Sequence, residues 1–125
     1  MATDQFAKDL ATGSYDLVVL DILRNRPAYG YEIVRRVFEQ SRHTVLWRQT
    51  TVSRVLRHLE TQGFVASQWR KAGKCRERKY YRLTVRGQRA WRTRRDQWHS
   101  FSTLLNTLLT DRAHLSASRN RRDRP

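Results

Sequence analysis

At Gly63 the spacing of apolar residues changes from helical to alternating, and this change restricts the folds open to the chain more than any other feature. Upstream, Val52, Val55, Leu56 and Leu59 fall at i, i+3, i+4 and i+7, one stripe of an amphipathic helix that starts near Thr50, which can cap it, and runs to about Gln62. Gly63 stands where a left-handed C-terminal cap is wanted. Downstream, residues 64–70 are rich in strand formers and partly alternate. Ala72 and Gly73 mark a turn inside a basic loop over 71–78. Residues 79–83 return as a second strand, with Tyr80 and Tyr81 on opposite faces.

The flanking segments read as helices. Residues 3–11 predict a short helix, Gly13 an interruption, and Ser14 the cap of a second helix to about Arg24. That second helix is apolar nearly all round, through Leu17, Leu20, Ile22 and Leu23, so it belongs in a core. Pro27 punctuates the break over 25–28. Ile33, Val34, Val37 and Phe38 give an apolar stripe to a helix over 29–40, and residues 41–48 read as a connector. Thr84 caps a long helix over 85–109. The order of three helices, a two-stranded hairpin and a helix predicts a mainly α fold with a small β-hairpin, a winged helix-turn-helix with a long C-terminal dimerisation helix. The expected organisation is a winged region over 1–84, a dimerisation helix over 85–115, and a disordered basic tail over 116–125, where Arg and Ser dominate without an apolar period.

Charge is distributed unevenly. Residues 1–60 hold nine Lys or Arg against seven Asp or Glu, whereas residues 61–125 hold seventeen against four, so nearly all of the net +15 lies in the second half. Between Arg70 and Arg95 there are twelve cations and one acid, Glu77. Such a block repels itself unless a polyanion neutralises it, which points to nucleic acid or an anionic membrane. The longest unbroken apolar run, residues 17–20, is far too short to span a bilayer, and no signal-peptide pattern opens the chain. Cys75 is the one cysteine, so no internal disulfide can form, in keeping with a reducing compartment. These features together predict a cytoplasmic protein with no membrane partner.

Residues 17–83 resemble the PadR family of bacterial transcriptional regulators. Residues 17–33 look like the family's opening, with Tyr29, Gly30, Tyr31, Glu32 and Ile33 its most recognisable element. Residues 51–60 match the frame of its recognition helix, Gly63, Phe64 and Val65 follow as they should, and residues 78–84 with Gly87 resemble the second wing strand and the start of the last helix. The resemblance implies a homodimer built on that last helix, binding a near-palindromic operator in double-stranded DNA, most often as a repressor. One departure is plain: Ser53 and Arg54 stand where the family usually has a Tyr-Pro pair, so no known operator carries over.

A recognition helix reads bases with side chains on its N-terminal turns. The candidates are Gln49, Thr50, Thr51, Ser53, Arg54 and Arg57, since Val52, Val55, Leu56 and Leu59 face the core. Arg54 and Arg57 are one turn apart and can bond guanine edges or touch phosphates. Lys71, Lys74, Arg76, Arg78 and Lys79 around Gly73 suit a wing lying along phosphates or in the minor groove. Tyr31 can bond a phosphate or simply pack. On the last helix, Trp91, Trp98 and Leu105 hold one heptad position and Arg94, Phe101 and Leu108 the other, widened by Leu104 and Leu109; a second copy is the natural cover for that stripe. Trp98 aligns with a tryptophan of short PadR-like multidrug regulators whose two copies flank a flat aromatic ligand, so the resemblance implies a small aromatic effector there; interface packing is the alternative.

Catalysis is not expected. His43, His58, His99 and His114 are scattered away from metal-ligand spacing, there is no phosphate-cradling glycine loop or paired-carboxylate motif, and no metal or cofactor is called for. Cys75, between Lys74 and Arg76, is either a thiol activated by its cationic neighbours or an incidental exposed one. The rival to a sequence-specific regulator is a non-specific nucleic-acid binder, which needs the basic block but not a Gln, Thr, Ser and Arg face on the recognition helix.

Overall fold

The computed structural model describes the backbone over residues 2–73 and 76–122 and the side chains over 14–71, 73 and 76–110. The elements run α1 (Ala2–Asn25), β1 (Ala28–Tyr29), α2 (Gly30–Gln40), α3 (Gln49–Thr61), β2 (Val65–Ala72), β3 (Arg76–Leu83) and α4 (Val85–Arg122). The chain divides into two compact units, Met1–Arg92 and Thr93–Pro125.

In the first unit each helix contributes the stripe its sequence carries. Val19, Leu20, Ile22 and Leu23 of α1 meet Ile33, Val34 and Val37 of α2 and Val52, Leu56 and Leu59 of α3, and the sheet closes the core with Ala28, Val65 and Tyr81. No polar or charged residue is buried among the described residues. Full burial of each large aliphatic side chain is worth about 1.5–3 kcal/mol, so the short amphipathic helices α2 and α3 are held by packing rather than by propensity. Tyr15 of α1 meets Trp47 edge-on at 4.6 Å and tethers the connector between α2 and α3.

The helix ends obey local rules. Gly63 adopts φ +79°. Its N–H donates to the Glu60 carbonyl at 3.0 Å and that of Phe64 to the Leu59 carbonyl at 2.9 Å, the paired bonds of a Schellman ending. α2 ends in the same way through Arg42 and His43, which take φ 55° and 65° without being glycine. The N-terminus of α3 differs from expectation: it begins at Gln49 with Arg48 as N-cap, and no side chain makes a capping bond, so Thr50 lies inside the first turn.

The sheet is three-stranded and antiparallel in the order β1-β3-β2, rather than a two-stranded hairpin. β1 pairs Ala28 with Tyr81 and Tyr29 with Tyr80. A strand of two residues has no period to read, and it exists only because β3 supplies its partner. β2 and β3 pair from Val65–Leu83 to Ala72–Arg76, so most of the basic segment expected to be loop is strand. Repulsion between its cations is outweighed by a continuous hydrogen-bonded ladder.

Three further expectations change. α1 is one helix through Gly13, because an isolated interior glycine costs only about 1 kcal/mol, less than packing returns further along. Residues 116–122, expected to be structureless, continue α4 as helix; adding a residue to an existing helix is far easier than nucleating one. Residues 123–125 of that expected tail lie outside the described residues. Trp91, expected on the dimer seam, is 7% exposed in the core of its own chain. Its Nε1–H donates to Asp21 Oδ1 at 3.0 Å and the Arg24 guanidinium lies 4.3 Å from its ring centre. Heptad spacing could not separate it from Trp98, because the first turns of α4 belong to the first unit and pack within its core.

One residue joins these parts. The Thr84 hydroxyl donates to the Gly63 carbonyl at 2.7 Å, with the Phe64 carbonyl 3.1 Å away, and accepts from the Gly87 N–H at 3.0 Å. At Gly87 a Cβ would stand 1.9 Å from the Phe64 carbonyl oxygen and 2.9 Å from Leu83 Cδ1. Gly87→Ala is therefore expected to destabilise the fold by about 3 kcal/mol, read as a lower midpoint in urea unfolding. A midpoint equal to that of the parent chain would contradict this account of the junction.

Candidate nucleic-acid interface

α3 separates its residues by burial as its period requires. Val52, Leu56 and Leu59 are buried and Val55 half-buried, while Gln49, Thr50, Ser53, Arg54 and Arg57 are exposed and Thr51 is half-buried. Gln49, Ser53 and Arg57 stand above one another at i, i+4 and i+8, and Thr50 and Arg54 form the adjacent row. The first turn carries no acid. Glu60, the one acid of α3, sits in the last turn, where it accepts a hydrogen bond from the Ser67 hydroxyl and lies 3.9 Å from Lys79 Nζ. The exposed face of α3 thus offers polar side chains, two guanidinium groups and the positive end of the helix dipole to an anion, with no carboxylate in competition.

The wing cations divide between two faces. Directly paired residues share a face of an antiparallel sheet, as do alternate residues along a strand. Arg76 and Arg78 lie on the outer face with Tyr80, and the structure adds Arg70 and Arg82 to them, two residues outside the sequence candidates. Lys71 and Lys79 lie on the inner face, which Tyr81 and Val65 anchor in the core. Among the contact candidates, Lys79 is half-buried beside Glu60, with its ammonium 5.5 Å from the centre of the Tyr81 ring. Lys74 and Cys75 lie outside the described residues. The alternation of Arg76, Arg78, Tyr80 and Arg82 was available in the sequence, but it is informative only once β3 is known to begin at Arg76.

Tyr31, in the first turn of α2, is exposed. In the second unit Trp98, Phe101, Leu105 and Leu108 are exposed, with Leu104 and Leu109 beside them. Trp98 and Phe101 have ring centres 6.0 Å apart. Among the described residues no cluster of His, Cys, Asp and Glu is placed to hold a metal ion, and no helix is long and apolar enough to cross a membrane.

Three packed helices, the last presenting an open polar face and followed by a basic sheet, define a winged-helix protein of the DNA-binding class. The chain belongs to the PadR-like family of transcriptional regulators, whose family model matches residues 19–93. A PadR family transcriptional regulator from Eggerthella lenta is similar at 34% identity and a TM-score of 0.70, over 86% of this chain and 92% of that one. A transcriptional regulator from Clostridium thermocellum shares the fold at 24% identity and a TM-score of 0.72, over 79% and 93%. Bacillus subtilis PadR, solved in complex with operator DNA, shares the fold at 23% identity and a TM-score of 0.57, over 62% of this chain and 44% of that one. An uncharacterized protein of Lysinibacillus sphaericus is 25% identical over 80 residues, which cover 64% of this chain and 73% of the relative.

The placement of Lys79 carries its own test. Lys79→Ala is expected to leave the salt dependence of duplex binding unchanged, because its ammonium is already paired. A slope lower by about 0.9 would instead mark Lys79 as a phosphate contact.

Proposed function

We propose that this chain is a sequence-specific transcriptional repressor that binds a near-palindromic operator in double-stranded DNA as a homodimer. The observation that carries the proposal is the acid-free, solvent-open face of α3, formed by Gln49, Thr50, Ser53, Arg54 and Arg57. α3 enters the major groove, Gln49, Thr50, Thr51 and Ser53 probe base edges, and Arg54 and Arg57 take guanine in a bidentate manner. Lys71, Lys74, Arg76 and Arg78 of the wing and Tyr31 of α2 engage the backbone, which positions α3 without itself reading sequence. The operator complex of Bacillus subtilis PadR supports this reading by likeness of fold.

The two-fold symmetry comes from α4. Trp98 at 51% and Leu105 at 42% exposure, with Phe101, Leu104, Leu108 and Leu109, form an apolar stripe that a second copy covers. A small planar aromatic effector enters between Trp98 and its mate and releases the operator.

Enrichment of randomised duplexes against the purified chain tests the proposal. A near-palindromic sequence should emerge, and Arg54→Ala with Arg57→Ala should reduce preference for it over random duplex by at least about 30-fold, at roughly 1–3 kcal/mol per bidentate contact. Recovery of no preferred sequence would leave only non-specific binding. For the dimer, Leu105→Asp with Leu108→Asp is expected to turn the sedimenting species into a monomer and to remove tight operator binding. A dimer persisting in that variant would place the interface elsewhere.

A further inference from the structure

The outer face of the sheet carries Arg70, Arg76, Arg78 and Arg82 with Tyr29 and Tyr80. Tyr29 and Tyr80 meet edge-on, with ring centres 5.3 Å apart. The Arg78 guanidinium lies over Tyr29 at 4.4 Å from the ring centre, and that of Arg70 over Tyr80 at 5.3 Å. Two tyrosine rings in mutual contact thus each have one guanidinium within cation–π reach.

This arrangement costs the fold something. Arg70 is the direct cross-strand partner of Arg78, and like charges in that position are destabilising. The acid of β3, Glu77, faces the other side, opposite Lys71, and among the described residues none of the four arginines is in a salt bridge. A face shaped for stability alone intersperses the two signs of charge. A face that meets a polyanion recovers the cost on binding.

We propose that Tyr80 and Tyr29 are positioning residues, which hold Arg70 and Arg78 of this outer face ready for the phosphates of the duplex backbone. The inference rests on the duplex binding proposed above. A guanidinium drawn to the face of a ring keeps its full charge, and its N–H groups are the ones that bond phosphate oxygens in pairs. An arginine held against a ring has already given up part of its rotamer freedom, so less is lost when the phosphate arrives. Arg76 and Arg78 repeat along β3 at a spacing of about 7 Å, with Arg82 about 14 Å from Arg78. A row of cations at repeated spacing fits a chain of anions rather than a single small one, and the polyanion brought to this unit by α3 is the duplex.

The test titrates a short random-sequence duplex at increasing salt, read by fluorescence anisotropy. Arg70→Gln with Arg78→Gln is expected to lower the slope of log affinity against log salt by about 1.8, from two contacts at about 0.9 each, and to weaken random and enriched duplexes equally. Tyr80→Val is expected to weaken random-duplex binding several-fold although no charge is lost, and Tyr80→Phe, which keeps the ring, to restore it. Thermal denaturation checks that each variant is folded at the measuring temperature; should Tyr80→Val not fold, the arginine pair decides. An unchanged slope in the arginine pair overturns the inference, as does an equal fall when the same charge is removed from α4 by Arg89→Gln with Arg92→Gln. If the parent chain binds and folded Tyr80→Val binds equally well, this inference falls alone. If the parent chain binds no duplex, it falls together with the proposed function.

Discussion

The rest of the structure depends on the hydrogen bonds gathered at Thr84. One hydroxyl binds the carbonyl side of the turn that ends α3 and accepts the N–H of Gly87 in the first turn of α4. The Thr84 N–H also donates to the Phe64 carbonyl at 3.1 Å. The end of the candidate recognition helix, the start of β2 and the start of α4 are therefore held at one point. A helix that reads a groove is useful only if its orientation is defined relative to the elements around it, and here that orientation rests on backbone geometry. Backbone atoms have little freedom to adjust, which is why Gly87 has no space for a side chain.

Around this junction, charge is sorted by face. Carboxylates are kept off the open side of α3, and Glu60, at its far end, is occupied by Ser67 and Lys79. Alternation in β3 sends arginines outward and Lys79 and Glu77 inward. The net charge of +15 states only that a polyanion is a suitable partner; the sorting decides which cations are available to it. Lys79 is available in the sequence and engaged in the fold, while Arg70 and Arg82 gain significance only as neighbours of Arg78.

The exposed face of α3 was legible because it follows from a single helix with a clear period. Val52, Leu56 and Leu59 turn inward, and the residues between them have nowhere to go but out. The positive φ of Gly63 and the Thr84 cap were legible for the same reason, since both arise within a few residues. The wing was harder. Its strands are longer than their composition suggests, because ladder hydrogen bonds outweigh the poor strand preference of a run of charged residues. β1 was invisible, since two residues carry no pattern.

What the amino-acid sequence determined alone was the set of local elements, the face each helix buries and the excess of positive charge, because these depend on neighbours one or two turns away. Tertiary structure alone decided the partners across longer distances: Trp91 with Asp21, Lys79 with Glu60, Tyr29 with Tyr80 and Arg78. Heptad spacing treats Trp91 and Trp98 alike, yet one is sealed in a core and the other lies open to solvent. The difference comes from what else occupies the surrounding space, and that is settled only when every element has packed.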